Sequence, residues 1–512
     1  MMRSDIMENE LNLAENGVQD FTGSPNSANM TESNNEKPNI PLREAILAWI
    51  TFVLGFVFTH YAIRYMGGIW GGIFWSSYGI VGAVYVKNKK LNTSKAQLIL
   101  FITAEIFSLT PFFCANRFIN FLAASFVFLM FFYLLITLSS AELFGRHFIT
   151  NILQSVFVRP FLSFVNELIC ISSVFRGKKR ANNILFVLLG LICAVPLTIV
   201  VAFLLMSSDD IFENFMLNFR DYLPKISFRI VPEIFFAVPI SMYLFGAFAS
   251  AEKPAPAERM GEPDYRGLPP IVGYVAVSPI CVFYLFYIGI QISRIFGETL
   301  SSNSSYSDFA RRGFFELFVI AVINLAVIII LQTFTKRLSG DIRPAALRVY
   351  TVLLCVSTLG IIATALVKMI MYINRLGMTL LRVYTSWFMI LLALIFIVVI
   401  IMQFKDFGFW KAIFVSFAVM FGILCFGDID GQIARYNITA YQNGALKEVD
   451  IGEFYELGFS AIEPAVRLKQ SGYPSEKLDM YLDSIESSDR YYDKFAYFSI
   501  PRMIGQNALD QL

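Results

Sequence analysis

Charge is what this 512-residue chain has little of: 16% of its residues are Asp, Glu, Lys or Arg, against about 25% in an ordinary soluble protein. With 56% hydrophobic residues and a mean hydropathy of +0.60, that shortage excludes a water-soluble globular domain and makes lipid the solvent of most of the chain. A surplus of either sign is missing too, since the net charge is +2. Binding nucleic acid needs Lys and Arg in excess to displace counterions from phosphates, so nucleic acid is excluded as a partner. Histidine is nearly absent. His60 and His147 are the two present, and neither has a second His, Cys or carboxylate at ligand spacing, which excludes an H-E-x-x-H zinc site. The six cysteines, Cys114, Cys170, Cys193, Cys281, Cys355 and Cys425, lie far apart without C-x-x-C spacing and mostly in apolar runs, as small buried hydrophobes do. Neither G-x-x-x-x-G-K-[ST] nor G-x-S-x-G occurs, so a P-loop motor and a nucleophile-elbow serine are excluded as well. These absences leave no cofactor, no metal and no catalytic residue to name.

Residues 1–41 are rich in Asn, Glu and Ser and poor in aromatics. That composition predicts a disordered, cytoplasmic tail. The first apolar stretch begins at Leu42, with no charged segment leading directly into an h-region, so the tail is expected to stay on the mature protein. From there apolar segments of spanning length alternate with short polar breaks, a helix needing about 20 residues to cross the hydrocarbon. The pattern predicts an all-α, polytopic membrane domain over residues 42–427 with about eleven spans, near 42–64, 67–86, 97–115, 118–141, 184–206, 226–250, 270–296, 313–335, 346–373, 379–402 and 408–427. The close pairs meeting at Arg64 and at Asn116 read as helical hairpins or as broken re-entrant elements. Gly67, Gly68, Gly71 and Gly72 form two overlapping G-x-x-x-G spacings, which let helices approach closely.

Lys87, Lys89, Lys90 and Lys95, then Arg176, Lys178, Lys179 and Arg180, then Lys336, Arg337 and Arg343 fall in breaks that eleven crossings place on one side. Cytoplasmic loops collect Lys and Arg, so the expected orientation is amino terminus inside and residues 428–512 outside. That last segment is net acidic by about six charges and carries apolar residues at helical spacing, Ile451, Phe454, Leu457, Ile462, Val466 and Leu468 among them. It predicts a short helical extracytoplasmic tail with a core of its own. Residues 142–183 are apolar yet interrupted by Glu142, Arg146, Arg159, Asn166 and Glu167. They suit a cytoplasmic helical segment lying in the interface with its charges turned to water, or a hairpin packed on the bundle. The Arg176, Lys178, Lys179 and Arg180 cluster is a candidate contact for anionic lipid, besides the bilayer itself.

Charged residues at membrane depth are costly, so they are paired or functional. Glu105 lies near the middle of the third span. It is a candidate proton-linked carboxylate, or a neutral acid hydrogen-bonded to a neighbour. Glu233, Arg294, Arg311, Arg312, Glu316 and Lys368 fall at one depth near the outer surface in the expected topology, as an ion-pair network or as a polar ligand site open to the outside. Arg312 and Glu316 are spaced to satisfy each other at i,i+4, and Lys368 is near enough to its helix end to snorkel.

Three stretches carry a resemblance: Tyr306-Ser-Asp-Phe-Ala-Arg-Arg-Gly-Phe-Phe-Glu-Leu317, Gly377-Met-Thr-Leu-Leu-Arg382, and Asp430-Gly-Gln-Ile-Ala-Arg-Tyr-Asn437, with Phe454 to Pro464 beyond them. Over roughly residues 185–465 the chain resembles the bacterial membrane family called domain of unknown function 4173, a relative of family 4153. The resemblance implies a multi-pass protein of the bacterial cytoplasmic membrane, adds no reaction, and raises interest in Tyr306, Arg312, Gly313, Thr379 and Arg382. Three functions stay open on the sequence: a transporter or permease-like protein using Glu105 or the outer charges, a lipid-handling membrane enzyme using Arg residues, and a sensory or scaffold protein acting through its external tail.

Overall fold

The computed structural model describes residues 42–511 except 64–67, 139–142, 146–147, 175–200 (of which 190, 194 and 198 are placed), 203, 223–224, 252–266, 297–313, 336–343, 406 and 490–494. Residues Arg43–Leu512 form one compact unit, which carries the membrane domain.

Nine helices among the described residues are long and apolar enough to cross a membrane. The first, α1 (Leu42–Val57), runs on through a π-helical turn, Phe58–Ala62. Then come α2 (Ile69–Asn88), α3 (Lys95–Ser108) with its extension α4 (Thr110–Phe113), and α5 (Arg117–Thr137). Short helices α6 (Phe148–Phe157), α7 (Arg159–Leu162) and α8 (Asn166–Val174) follow, then α9 (Asp210–Tyr222) and α10 (Lys225–Ser250). The remaining spanning helices are α11 (Pro270–Phe296), α13 (Ala345–Leu376), α14 (Leu380–Phe404) and α15 (Phe409–Phe426). Between them lies α12 (Phe314–Phe334), which takes the place of the expected eighth span. The expected fifth, 184–206, falls mostly outside the described residues. Continuous helix is what the bilayer demands, because a backbone group left without a partner in hydrocarbon costs several kcal/mol.

The helix ends have local causes. Ser94 and Gln97 close a capping box at the start of α3, satisfying donors that helix geometry leaves open. Asn116 caps α5 by accepting from the Phe118 and Ile119 amides at 2.9 and 3.3 Å, so the two apolar segments that meet here are separate helices. Gly377, at φ 81°, stops α13 in a backbone region that other residues seldom enter.

Helices α11 to α14 share one apolar core, built from residues such as Val277, Leu317, Leu354, Ile361 and Phe396. A polar triad crosses it: Tyr284 donates to Asn324 Oδ1 at 2.8 Å, and Asn324 Nδ2 donates to Thr358 Oγ1 at 2.9 Å. Such side-chain bonds join helices where apolar packing distinguishes them poorly from lipid. Helix α15 packs on the first half of the domain, with the Phe107 and Phe421 rings stacked 5.6 Å apart.

The segment after α5 departs from the interfacial expectation. Arg159 and Glu167 are turned inward, not to water: Arg159 is buried and its Nη1 donates to the Ser250 carbonyl at 2.8 Å, while Glu167 is 0% exposed. Helices α7 and α8 are wedged against α10. An interfacial helix exposes its charges because water solvates them, whereas here the bundle's own polar groups do so.

Beyond the last span, α16 (Ile429–Gln442), α17 (Ile451–Leu457), α18 (Ile462–Gln470), α19 (Glu476–Asp489) and α20 (Ile500–Leu509) form a helical domain. Its core is Ile433, Phe454, Leu457, Ile462, Leu468 and Tyr481, in agreement with the apolar spacing in the sequence. This domain also touches the spans: the Ile69 amide donates to the Ala496 carbonyl at 3.1 Å, and Trp70 meets Phe495 edge-on. The described cysteines, Cys114, Cys170, Cys281, Cys355 and Cys425, are buried.

Candidate functional site

Two cavities lie end to end among α2, α3, α5 and α10. The first, of about 540 Å³, is lined by Phe58, Gly71, Gly72, Trp75, Phe107, Ser108, Asn120, Phe128, Phe161 and Tyr243 among others. The second, of about 340 Å³, is lined by Tyr78, Gly79, Gly82, Lys87, Thr93, Gln97, Phe101, Phe131 and Phe248 among others. All four helices border both. Helix α2 gives Gly71 to Trp75 to the first and Tyr78 to Lys87 to the second; α5 gives Asn120 to Phe128 and then Phe131 to Leu138. The cavities are therefore successive along the spans. An aromatic layer closes the joint: Tyr78 sits 6.1 Å from Trp75, 6.1 Å from Phe131 and 4.8 Å from Phe248, centroid to centroid.

Glu105 stands at that joint. On α3 it falls between Phe101, which lines the second cavity, and Phe107, which lines the first. Its Oε1 is buried and makes no hydrogen bond. The carboxyl lies against Gly79 and the Phe131 ring, so close that a Cβ on residue 79 would occupy its place. The glycine is what admits an acid here. One turn further along α3, Ser108 donates to the Glu105 carbonyl at 2.7 Å and receives the Ser76 hydroxyl at 2.6 Å.

Two further acids lie at membrane depth, Glu167 buried and Glu233 half-buried. The oxygens of Glu167 lie 2.8 Å from Thr51 Oγ1 and 2.9 Å from Ser241 Oγ, which ties α8 to the first spanning helix and to α10. Glu233 Oε2 sits 2.5 Å from His60 Nδ1, and His60 belongs to the π-helical turn, a distortion that often marks function. No partner of His60 is legible along the chain, because 173 positions separate the two residues. Among the described residues no group of three or more His, Cys, Asp or Glu is placed to hold a metal ion.

The remaining expected residues scatter. Tyr306, Arg311 and Arg312 lie outside the described residues, as do the Arg176, Lys178, Lys179 and Arg180 cluster and the Arg294 side chain. Glu316 is exposed in the first turn of α12. Lys368 is 3% exposed on α13, inside the protein and not snorkelling along its surface, since neighbouring helices cover it where an isolated span would leave a route to the headgroups.

Thr379 and Arg382 belong to a second constellation, which brings together two of the motifs behind the resemblance, Gly377 to Arg382 and Asp430 to Asn437. Asn437 grips the Met378 peptide: its Oδ1 accepts from Met378 N at 2.7 Å and its Nδ2 donates to Met378 O at 2.8 Å. Thr379 stands at the N-cap of α14 without capping it through its side chain. Glu453 does so instead, accepting from the Leu380 amide at 2.8 Å. Arg382 bonds back to the Leu376 and Gly377 carbonyls and lies over the Tyr372 ring at 4.3 Å. Asp430 is 5% exposed and accepts from Asn116 Nδ2 at 2.9 Å; the same nitrogen donates to Tyr384 Oη at 3.0 Å. Burial, with Asp428 and Glu453 nearby, pushes the Asp430 carboxyl up to about 7 against the pull of the Asn116 bond. Burial likewise raises Glu453. Asn116, Asn437 and Glu453 escaped sequence reasoning; the hint available was that Asn437 closes the quoted Asp430 motif.

Nine apolar spanning helices, strands absent among the described residues, and acids buried at membrane depth define an all-α polytopic integral membrane protein. Within that class the chain belongs to the family described as domain of unknown function, DUF4153, which matches residues 101–468. No curated protein and no solved structure matches the chain.

Proposed function

We propose that the membrane domain is a permease-like path for an organic solute, in a bacterial cytoplasmic membrane with the amino terminus inside. One observation carries this reading: two cavities follow each other along the spans, and the layer dividing them holds a carboxyl with a buried, unpartnered oxygen. An alternating-access path needs half-paths on either side of a central constriction, and a polar group there that is costly to leave without a ligand. Glu105 serves as the polar handle, and Gly79 gives it room.

Cysteine accessibility tests the path. Ser125→Cys lies in the first cavity and Thr93→Cys in the second. A membrane-impermeant maleimide applied to sealed vesicles of either orientation is expected to label the two variants from opposite faces, with the wild-type chain as background. Labelling of both from one face, or of neither, rejects the reading.

The largely apolar lining of the first cavity also favours a second reading, in which an acyl chain of a lipid rests there and the protein handles lipid. Mass spectrometry of the purified protein would then find a lipid retained at one per chain and lost in Ser125→Phe.

A further inference from the structure

Resting on the permease reading, we propose that the solute is a lipophilic organic cation: its apolar body fills the first cavity and its charge is balanced by Glu105. The cavity holds about 540 Å³, within the range that takes a drug-sized molecule. Among the described residues, its lining contains no Lys, Arg or His. An anion would find no counter-charge there, and a sugar or amino acid would find few hydrogen-bond partners beyond Ser108, Asn120 and Ser125. The walls instead offer the faces and edges of aromatic rings, among them Phe58, Trp75, Phe107, Phe128 and Tyr243. Ring faces attract cations, by about 2 kcal/mol or more when water is excluded.

Aromatic walls alone would suit any apolar molecule, so the acid decides the sign. Glu105 Oε1 is buried with no hydrogen bond, at the joint between the cavities. Glu105 itself lines neither cavity and its carboxyl has the Ser76 hydroxyl beside it, but among the described residues it has no cationic partner; a bound cation takes that place, and an anion of the same shape is repelled. Lys87 lines the second cavity at the opposite end, eight residues and roughly 12 Å along α2 from Gly79 by helix rise. A cation passing from the acid toward Lys87 meets a like charge, which favours its release.

Tetraphenylphosphonium and tetraphenylborate have nearly the same shape and opposite charge. The full chain in lipid nanodiscs, with protein-free discs subtracted, is expected to bind radiolabelled tetraphenylphosphonium saturably and tetraphenylborate at least tenfold more weakly. Glu105→Gln should erase that preference, Glu105→Asp should keep most of it, and Ser125→Phe, which fills the cavity without touching the acid, should abolish binding. Thermal melting of each variant separates lost binding from lost folding. The cation assignment is overturned by equal binding of the two ions, by an affinity unchanged in a folded Glu105→Gln, or by no saturable binding because a lipid holds the cavity. The maleimide experiment stays independent: labelling from opposite faces with no cation preference leaves the path standing and removes only this solute, whereas one-sided labelling removes both.

Discussion

Asn437 holds the Met378 peptide by both of its polar atoms, 2.7 Å to the nitrogen and 2.8 Å to the oxygen. It copies the pairing a neighbouring strand would offer, at a place where α13 has ended on Gly377 and α14 has yet to begin. The first helix after the spans is thus fastened to a turn between two of them.

Replacing Asn437 with Ala strands two backbone groups in a half-buried turn. We expect a loss of about 2–3 kcal/mol, measured by denaturant unfolding in detergent, together with faster hydrogen exchange at Met378. Asn437→Asp keeps the acceptor but turns a carboxylate oxygen toward the Met378 carbonyl, so it should lose at least as much. A smaller loss would show that the fold rests on something other than the donated bond.

Asp430 makes the junction pH-sensitive. Its carboxyl titrates at about 7 in the fold and near 4 in an unfolded chain. Between these values the folded state holds a proton that the unfolded state has released, so stability is greatest below about pH 4 and declines as pH rises to 7. The decline should be on the order of 4 kcal/mol, and Asp430→Asn should flatten it. Melting curves from pH 4.5 to 8 decide the matter: a variant with the same slope as wild type assigns the titration to another group.

At Glu167 the requirement is shape and hydrogen bonding more than charge. Thr51 and Ser241 each have a carbonyl of their own helix within reach, Leu47 O at 2.9 Å and Val238 O at 2.8 Å. Glu167→Gln should therefore cost less than about 1 kcal/mol, whereas Glu167→Ala opens a cavity and should cost about 3 kcal/mol. If unfolding in detergent finds Gln as damaging as Ala, the negative charge itself is needed.

Gly79 and Gly82 provide a matched pair on one helix. A methyl at Gly79 collides with the Glu105 carboxyl, whereas at Gly82 the nearest atom is Phe248 Cε1 at 3.4 Å. Gly79→Ala should lower the melting temperature, with a cost of about 1–3 kcal/mol for overpacking, and should lose the preference for tetraphenylphosphonium as Glu105→Gln does. Gly82→Ala should do neither; if it matches Gly79→Ala, the constraint is helix spacing and not room for the acid.

What the sequence made legible follows from the range of the forces involved. Spans show through composition, because every residue of a lipid-facing helix meets the same solvent, and the helical tail shows through its apolar spacing. Glu105 was visible as an acid among hydrophobes. The partners of His60, Glu167 and Asp430 were not, since they lie 173, 116 and 314 residues away, beyond any periodicity along one helix. The segment carrying Arg159 and Glu167 stayed open between an interfacial helix and a packed hairpin for the same reason: charges among apolar residues look alike whether they face water or a buried serine, and only the neighbouring helices distinguish the two.

Asn116 has a consequence for the order of assembly. Its oxygen caps α5 as soon as that helix forms, but its nitrogen waits for Asp430, made 314 residues later. Closing a loop of that length costs about 5 kcal/mol in chain entropy, so the contact forms last and only with the spans between already in place. The bond acts as a seal between distant parts of the chain: truncation before residue 430 leaves the amide at position 116 one bond short and the junction open.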